Sequence, residues 1–428
     1  MLEAFLASSD KEWITGTAVI DGQSFENVGF TLKGNSSLEG ITADTDPATL
    51  PWRIRLDKNV EGQSLDGAAD IVVRDSTTAS ALNEAVALDM LANAGLASQL
   101  SSPASLTVNG GAPQLRLILE FLDTAWMTSV FSADGTLFKA EAGGDYSYRG
   151  DAAEDYDGVF DVEGGEENYA PLAAFLKFVN EADDSAFASE LSQHLDVDAF
   201  ARYLAFEDLI GNFDDIDGPG NNSYLYYGPD AGTMTVVAWD HNMAFGVGPG
   251  GGGQGGGRGP GGMGGTQDGQ RGAPPAGAMP GGAMPDGSAP DGAAAPSDAG
   301  GAAPAAGAQG AGQAAGQGGA GRGGGMGGKN ILATRFAADS TFSQLVTEQA
   351  ATLRTDLVDT GAAKAIVEAR AKVLTDTASA LISADDVQSD ADAILAALDG
   401  TSSSASAGQP GGAGTGAGVG TGASDGGS

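Results

Sequence analysis

Short runs of alternating apolar and polar residues fill the first third of the chain, a period-two pattern that predicts strands with one face on a core. They fall at Trp13–Ile20, Val28–Lys33, Trp52–Leu56, Asp70–Arg74, Ser105–Val108 and Leu115–Phe121, with Asp21-Gly22 as the turn between the first two. One helix interrupts them: Leu82, Ala85, Val86, Met90 and Ala94 recur near a 3.6-residue period over Ala81–Ala94, and Gly95 stops it. The middle of the chain turns helical. Tyr169–Asn180 and Ser185–Leu195 are amphipathic, and Asp196 is placed to cap a further helix with the stripe Tyr203, Phe206, Ile210 and Phe213. The turn-forming run Asp214–Gly220 cannot continue that helix and leads into a hairpin, Ser223–Tyr227 and Met234–Trp239, joined at Pro229–Gly232. Residues 331–398 are helical again, with Phe342, Leu345, Val346, Leu353 and Leu357 as the expected buried face.

Between these segments the pattern vanishes. From Val247 to Gly328 the chain is almost wholly Gly, Ala, Pro, Gln and Ser with scattered Asp, Met and Arg, and the tail after Thr401 is similar. Neither stretch has enough apolar side chain to offset the entropy of ordering, so both are expected to be disordered. A flexible linker of about 80 residues has an r.m.s. span of about 50 Å, which lets the helices beyond it pack back on the domain. What remains, roughly 320 residues, suits one large or bilobal domain.

Charge and composition narrow the function. Acidic residues number 57 against 20 basic, a net charge of −37, which excludes a nonspecific nucleic-acid binder and disfavours an anionic membrane surface. An acidic surface keeps an exported or salt-exposed protein soluble, and it leaves room for a basic partner. The absence of cysteine removes disulfides, thiolate metal sites and a cysteine nucleophile. His194 and His241 are the two histidines, too few for a His-rich zinc site. No apolar run approaches the roughly 18 residues of a membrane span. The opening Met1–Leu6 has neither a basic head nor a long apolar stretch, so it does not read as a signal peptide.

Candidate chemistry gathers in Asn212-Phe213-Asp214, Asn222–Tyr226 and Trp239–Asn242. Acid and amide side chains at the ends of elements suit a hard divalent cation, which takes oxygen ligands. Asp, Asn and Gly also dominate ordinary turns, so each of these residues alone reads more readily as a loop cap than as a ligand. Asp240 differs, because it closes the apolar run Met234–Trp239 and precedes Met243-Ala244-Phe245. A carboxylate drawn towards a core requires a partner, and a metal is one such partner. Two other features carry no chemistry. Gly323–Asn330 falls one residue short of a phosphate-binding loop, lies in low-complexity sequence, and has Asn330 where Ser or Thr should stand. The acidic run Gly150–Glu167 lacks EF-hand spacing and reads as a mobile loop.

Four ordered segments resemble the spore coat protein H (CotH) kinase family. Val28–Leu38 is similar to its G-x-x-x-K-G-N-S-S opening, Asn212-Phe213-Asp214 to its N-x-D, Asn222–Tyr226 to its N-x-x-L-Y, and Trp239–Gly246 to its W-D-x-[DN]-x-x-[FW]-G. Leu119-Glu120 and Leu137-Phe138-Lys139 are weaker echoes. The resemblance implies an α+β, divergent bilobal protein-kinase-like fold with a β-rich small lobe and a mostly helical large lobe. The small lobe would cover 1–140, and the large lobe with its catalytic hairpin 141–246. The disordered insert would cover 247–328, the C-terminal helices of the large lobe 329–400, and the tail 401–428. It also implies ATP with magnesium or manganese, and transfer of phosphate to Ser or Thr of a coat, envelope or secreted protein. The acceptor could be basic and Ser-rich, and the location extracellular or at the cell envelope.

Carried over by position, Asp240 and Asn222 would hold metal, and Asp214 would be the catalytic acid. A kinase catalytic loop places Asn five positions after its Asp, whereas Asp214 precedes Asn222 by eight. Asp217 has the five-residue spacing without the Asn-Phe context and stays a rival. Lys33, Asn35, Ser36, Arg53, Arg55, Glu84 and Glu120 would serve the nucleotide, with Glu84 as ion-pair partner of a strand cation. Two other readings stand beside this one. Thr49-Leu50 replaces a lysine pair that family members often carry, which favours an inactive binding or display module. A kinase scaffold can also transfer another group, such as AMP.

Overall fold

Two antiparallel sheets carry the fold. The first is built from β1 (Ile14–Ile20), β2 (Gln23–Leu32), β3 (Trp52–Arg55), β4 (Asp70–Val73), β5 (Ser101–Leu106) and β6 (Gln114–Glu120), in the order β1-β2-β3-β4-β6-β5. The structure, a computed structural model, describes residues 11–34, 36–38, 40–132, 134–141, 144–212, 214–216, 222–247 and 330–400, with Leu2 and Leu6. All of these belong to one compact unit. The β1–β2 turn is Asp21-Gly22 as the sequence predicts, with φ of 49° and 83°, the left-handed pair whose twist matches the flanking strands. On β3, Trp52 and Ile54 are buried while Arg53 and Arg55 occupy the opposite face. That alternation decides which side chains reach the cleft.

The fifth strand begins four residues earlier than the apolar pattern suggests. It lies at the sheet edge and pairs Ser101 with Leu119 and Leu106 with Gln114. Its serines and Pro103 hid it from a periodicity reading, yet proline is tolerated on an edge strand. Between β4 and β5 runs α1 (Leu82–Asn93), buried on nearly every side. Ala85 and Leu88 pack on Val72, Leu117 and Leu119 of the sheet. Leu82, Val86, Ala87, Met90 and Leu91 join a helical core on the other side. A helix apolar all round is one enclosed on both faces.

The second sheet contains β7 (Thr136–Ala140), β8 (Phe160–Gly165), β9 (Ser223–Gly228) and β10 (Thr233–Ala238), in the order β10-β9-β7-β8. Although β7 falls within residues 1–140, it pairs with β8 and β9. The acidic run Gly150–Glu167 is not the mobile loop its charge suggested: it holds a 3-10 turn, Ala153–Tyr156, and β8. Tyr156 and Phe160 are fully buried there. Burying large apolar side chains is worth about 1.5–3 kcal/mol each, enough to draw this acidic segment onto the body.

Helices α2 (Thr124–Phe131), α3 (Ala170–Glu181), α4 (Asp184–Glu190) and α5 (Val197–Ile210) surround the second sheet. The fourth stops earlier than predicted, because a 3-10 turn at Leu191–Gln193 lets Leu195 bridge Met234. Asp196 caps α5 by accepting the Ala199 N–H, and Gly211 ends it at φ 62°. The last helices are α6 (Ile331–Ala338), α7 (Ser340–Leu353), α8 (Ala362–Thr377) and α9 (Ala384–Leu398). Phe336 meets Phe200 of α5 edge to face at 4.8 Å and stacks on Phe342 at 4.6 Å, so this segment does return to the body. Phe342, Leu353 and Leu357 are buried, and Leu345 and Val346 pack partly buried against the same core. Asn330 accepts two N–H groups as the cap of α6. The Gly-rich insert beyond Val247, the tail from 401 and Phe213 lie outside the described residues. The chain is thus an α+β protein, and among the described residues no helix is long and apolar enough to cross a membrane.

Candidate active site

Arg74 stands where three elements meet. It follows β4, and its N–H donates to Leu117 O at 2.9 Å, so the strand pairing fixes its backbone. Its Nε lies 2.9 Å from the carboxylate of Glu84 in the first turn of α1, and its Nη2 pairs with Asp240. Glu84 is therefore the ion-pair partner the sequence anticipated, but its cation is Arg74 and not Lys33, Arg53 or Arg55. The reason is topological: β4 is buried along its whole length and ends against α1, so the residue after it points between helix and hairpin. Burial disfavours charge on Arg74, yet Asp240 and Glu84 together outweigh it and hold the guanidinium protonated more firmly than usual. Burial pushes the Glu84 carboxyl up, and Arg74 pulls against that.

Asp240 has φ 67°, a left-handed conformation that Asp tolerates better than most residues. The chain bends there at the end of the strand, and the carboxylate faces Arg74. The register Ala238↔Ser223 brings Asn222 and Asp240 to the same end of the hairpin. Asn222 Nδ2 donates to Asp214 O at 2.8 Å and to Asp214 Oδ2 at 2.9 Å. The Asp214 carboxyl is pushed up by burial and by the charge of Asp240, with the Asn222 bond opposing. Asp214, Asn222 and Asp240 thus form one acid–amide group, while Asp217 lies outside the described residues.

The loop after Asp240 is pinned from below. His241 is buried with Nε2 3.1 Å from Glu207 Oε1, and Glu207 Oε2 accepts from Asn212 Nδ2 at 2.9 Å. Burial works against protonating His241, but Glu207 outweighs it and raises its pKa. Asn242 O accepts from Thr77 Oγ1 at 2.6 Å and from Asn83 Nδ2. These bonds tie the hairpin end to the segment between β4 and α1.

Further cations gather near the Trp239 ring, over which Arg74 also lies at 5.7 Å. Lys33, just after β2, sits with Nζ 4.9 Å from the Phe121 ring centroid and 5.0 Å from that of Trp239. Burial, aided by Lys139, lowers its pKa to about 7, against the pull of Glu163. Arg53 donates to Asp70 at 2.8 Å, stacks 3.5 Å from the Phe121 centroid and lies 3.7 Å from Glu163. Beside it opens a groove of about 560 Å3 lined by Arg53, Asp161, Glu163, Glu167 and Tyr169. Gly34 has φ 94°, and a Cβ there would come 2.0 Å from Ser37 Oγ, so the turn after Lys33 requires glycine. Ser36 begins the 3-10 turn Ser36–Leu38, and Asn35 lies outside the described residues.

Two expected residues stand apart from this group. Arg55 is held by Asp57 at 2.8 Å on the outer part of the sheet. Glu120 accepts the Leu100 N–H at 2.8 Å and braces the β5–β6 edge. Conversely, periodicity missed Arg74, Lys139, Glu163 and the Glu207–His241 pair. A signal for Arg74 existed: one cation closes an apolar strand ten residues before Glu84, the mirror of Asp240 closing β10.

Among the described residues, no three or more acidic or histidine side chains gather to hold a metal ion by themselves. Asp240 and Asn222, at one end of the hairpin, nevertheless offer a carboxylate and an amide oxygen as hard donors, while the Asn222 Nδ2 is taken up by Asp214. That set fits a divalent cation whose remaining ligands come from a bound polyphosphate. The neighbouring cations Lys33 and Arg53 fit the polyphosphate itself.

Comparisons with known proteins place the chain in a family. Over 173 residues the chain is 26% identical to inner spore coat protein H of Bacillus subtilis (strain 168), covering 39% of this chain and 47% of that protein. The chain thus spans about half the length of this relative. Residues 31–386 match the family described as CotH kinase protein, a span that takes in the first sheet from β3 onward, the whole second sheet, the Arg74–Glu84–Asp240 group and most of the returning helices. The chain belongs to the CotH kinase protein family.

Proposed function

We propose that the chain is an ATP-dependent protein kinase of divergent bilobal form that phosphorylates Ser or Thr of a coat, envelope or secreted protein. The observation that carries this reading is the Arg74–Glu84 ion pair set against Asp240 at the hairpin end, beside the Asn222–Asp214 pair. Phosphoryl transfer depends on positioning and charge neutralisation more than on covalent chemistry, and the cleft offers both. Lys33, Arg53 and Arg74 supply charge for the phosphates. Magnesium or manganese, held by Asp240 and Asn222, would neutralise the developing negative charge. Asp214, its carboxyl pushed up by burial and by Asp240, is suited to take the proton of the acceptor hydroxyl. The acceptor oxygen bonds to the γ-phosphorus, the bond to the β–γ bridging oxygen breaks, and ADP leaves. The relative's name supports a spore coat or envelope location, and the acidic surface suits a basic, Ser-rich acceptor.

Asp240→Asn and Asp214→Asn are the decisive variants, because Asn tolerates the left-handed backbone at 240 while removing the charge. Each should reduce labelling of a Ser-rich acceptor by γ-labelled ATP at least about 1,000-fold. Undiminished labelling in both would end the kinase reading. A second reading, a binding module without turnover, is favoured by Arg74 already satisfying Asp240. Isothermal titration with ATP and magnesium, followed by mass spectrometry of the acceptor, separates phosphorylation, adenylylation and binding alone.

A further inference from the structure

Helix α1 carries Glu84, yet the residue at its N-cap position has no side chain that can cap it. Ala81, at its start, has φ 55° and makes no side-chain cap bond. Thr78 Oγ1 accepts the Ala81 N–H at 3.1 Å and Ser80 Oγ the Leu82 N–H at 3.2 Å instead, while the Ser80 N–H donates to Asp390 Oδ2 at 3.0 Å and the Ser80 hydroxyl bonds the same oxygen. Asp390 belongs to α9. Mid-helix, Asp89 receives a two-pronged bond from Arg370 of α8, at 2.6 and 2.5 Å, and Arg370 also donates to Ser101 O at 3.0 Å. At the far end, Arg202 of α5 donates to Ala94 O at 2.5 Å and to Gln349 of α7 at 2.7 Å. Residues just before, within and just after α1 are therefore each bonded to an element of the helical half, and two of these three bonds come from α8 and α9.

We propose that α8 and α9 form a built-in clamp that holds α1 where Glu84 meets Arg74, with Arg370 and Asp390 as positioning residues for the site. The physical case is geometric. A negative side chain at the start of α1 complements its dipole, and a bidentate arginine fixes its rotation about its own axis. Rotation or sliding of α1 would withdraw Glu84 from Arg74, and Arg74 would then no longer be presented to Asp240 from a fixed direction. Neither Arg370 nor Asp390 is among the residues facing the acid–amide group, so their effect must travel through α1. This rests on the kinase reading for its catalytic consequence, but the clamp itself does not.

Two measurements on the full chain separate the two. Hydrogen exchange across 83–90 reads the clamp without catalysis, and steady-state turnover with ATP reads its consequence. Arg370→Ala and the milder Asp390→Asn should each raise exchange of α1 amides at least about tenfold while leaving α3 and α5 unchanged. They should lower kcat about tenfold with KM for ATP changed less than about twofold, since alignment is lost and not binding. Combining Asp89→Arg with Arg370→Asp should restore most of both if the pair itself carries the effect, and the fall in kcat at nearly constant KM is what a merely structural role would not produce. Lys372→Ala, on the exposed side of α8, serves as the neutral control. Wild-type exchange and turnover in Arg370→Ala and Asp390→Asn overturn the clamp. If the wild type transfers no phosphate but exchange rises in the variants, the clamp stands and the kinase reading falls.

Discussion

Two cations, the buried Arg74 and the partly buried Lys33, both lie over the Trp239 ring and respond to their surroundings in opposite ways. Arg74 has carboxylates on two sides and is held charged. Lys33 has two aromatic faces and three neighbouring cations, and its pKa falls to about 7. The difference lies in who supplies the counter-charge. At Arg74 the fold supplies it, so the residue is structural as well as chemical. At Lys33 the fold supplies only ring quadrupoles and the more distant Glu163, so the ammonium gains most from an incoming anion.

Removing Arg74 should break the comparison most severely. Arg74→Ala leaves Glu84 buried without its partner, which costs about 3–5 kcal/mol and should appear as a lowered Tm together with loss of turnover. Arg74→Lys should recover little, because one ammonium cannot reproduce the forked geometry.

A smaller and pH-dependent effect is expected at Lys33. Its folded pKa of about 7 lies below the ordinary 10.5, so between those values the unfolded chain binds the extra proton and stability rises with pH. Below about pH 7 the lysine is charged in both states and the desolvation penalty is felt in full. Lys33→Met should therefore raise Tm more at pH 6 than at pH 10. The same variant should weaken nucleotide binding, and in the wild type affinity should decline as pH rises above 7, readable by titration calorimetry. If Arg74 and Lys33 were equivalent, Lys33→Met would destabilise at every pH. Least affected should be Arg55→Ala, which removes one exposed pair with Asp57 and should change stability by about 0.2–1 kcal/mol, with no change in turnover.

Much of this fold could be read from residue order. Strands with strong alternation, such as Trp52–Arg55, and turns with demanding backbone, such as Asp21-Gly22, announce themselves locally. The hairpin that delivers Asp240 was legible for the same reason. What escaped depends on tertiary pairing. A serine-rich edge strand at Ser101–Leu106 is fixed by its neighbour, and β8 is held by Tyr156 and Phe160 despite its acid content. The site divides along the same line. Asp214, Asn222 and Asp240 are close in sequence or share a hairpin, so spacing could gather them. Arg74 and Asp240 are 166 residues apart, and only packing of α1 against both sheet and helices unites them. Arg53 and Arg55 differ by two positions and share a face, yet Asp70 turns one inward while Asp57 keeps the other outside.

The cations lodged inside the cleft have a consequence for how a ligand arrives. Lys33, Arg53, Arg74 and Lys139 lie inside, among carboxylates that at least match them in number, so the outer surface keeps the strongly anionic balance of a chain with 57 acidic and 20 basic residues. A polyphosphate approaching from bulk first meets repulsion and feels attraction only at short range, within about one Debye length, 8 Å at physiological salt. Added electrolyte screens the outer field before the inner one. The encounter rate should accordingly climb with ionic strength, the reverse of a protein that wears its positive charge on the outside.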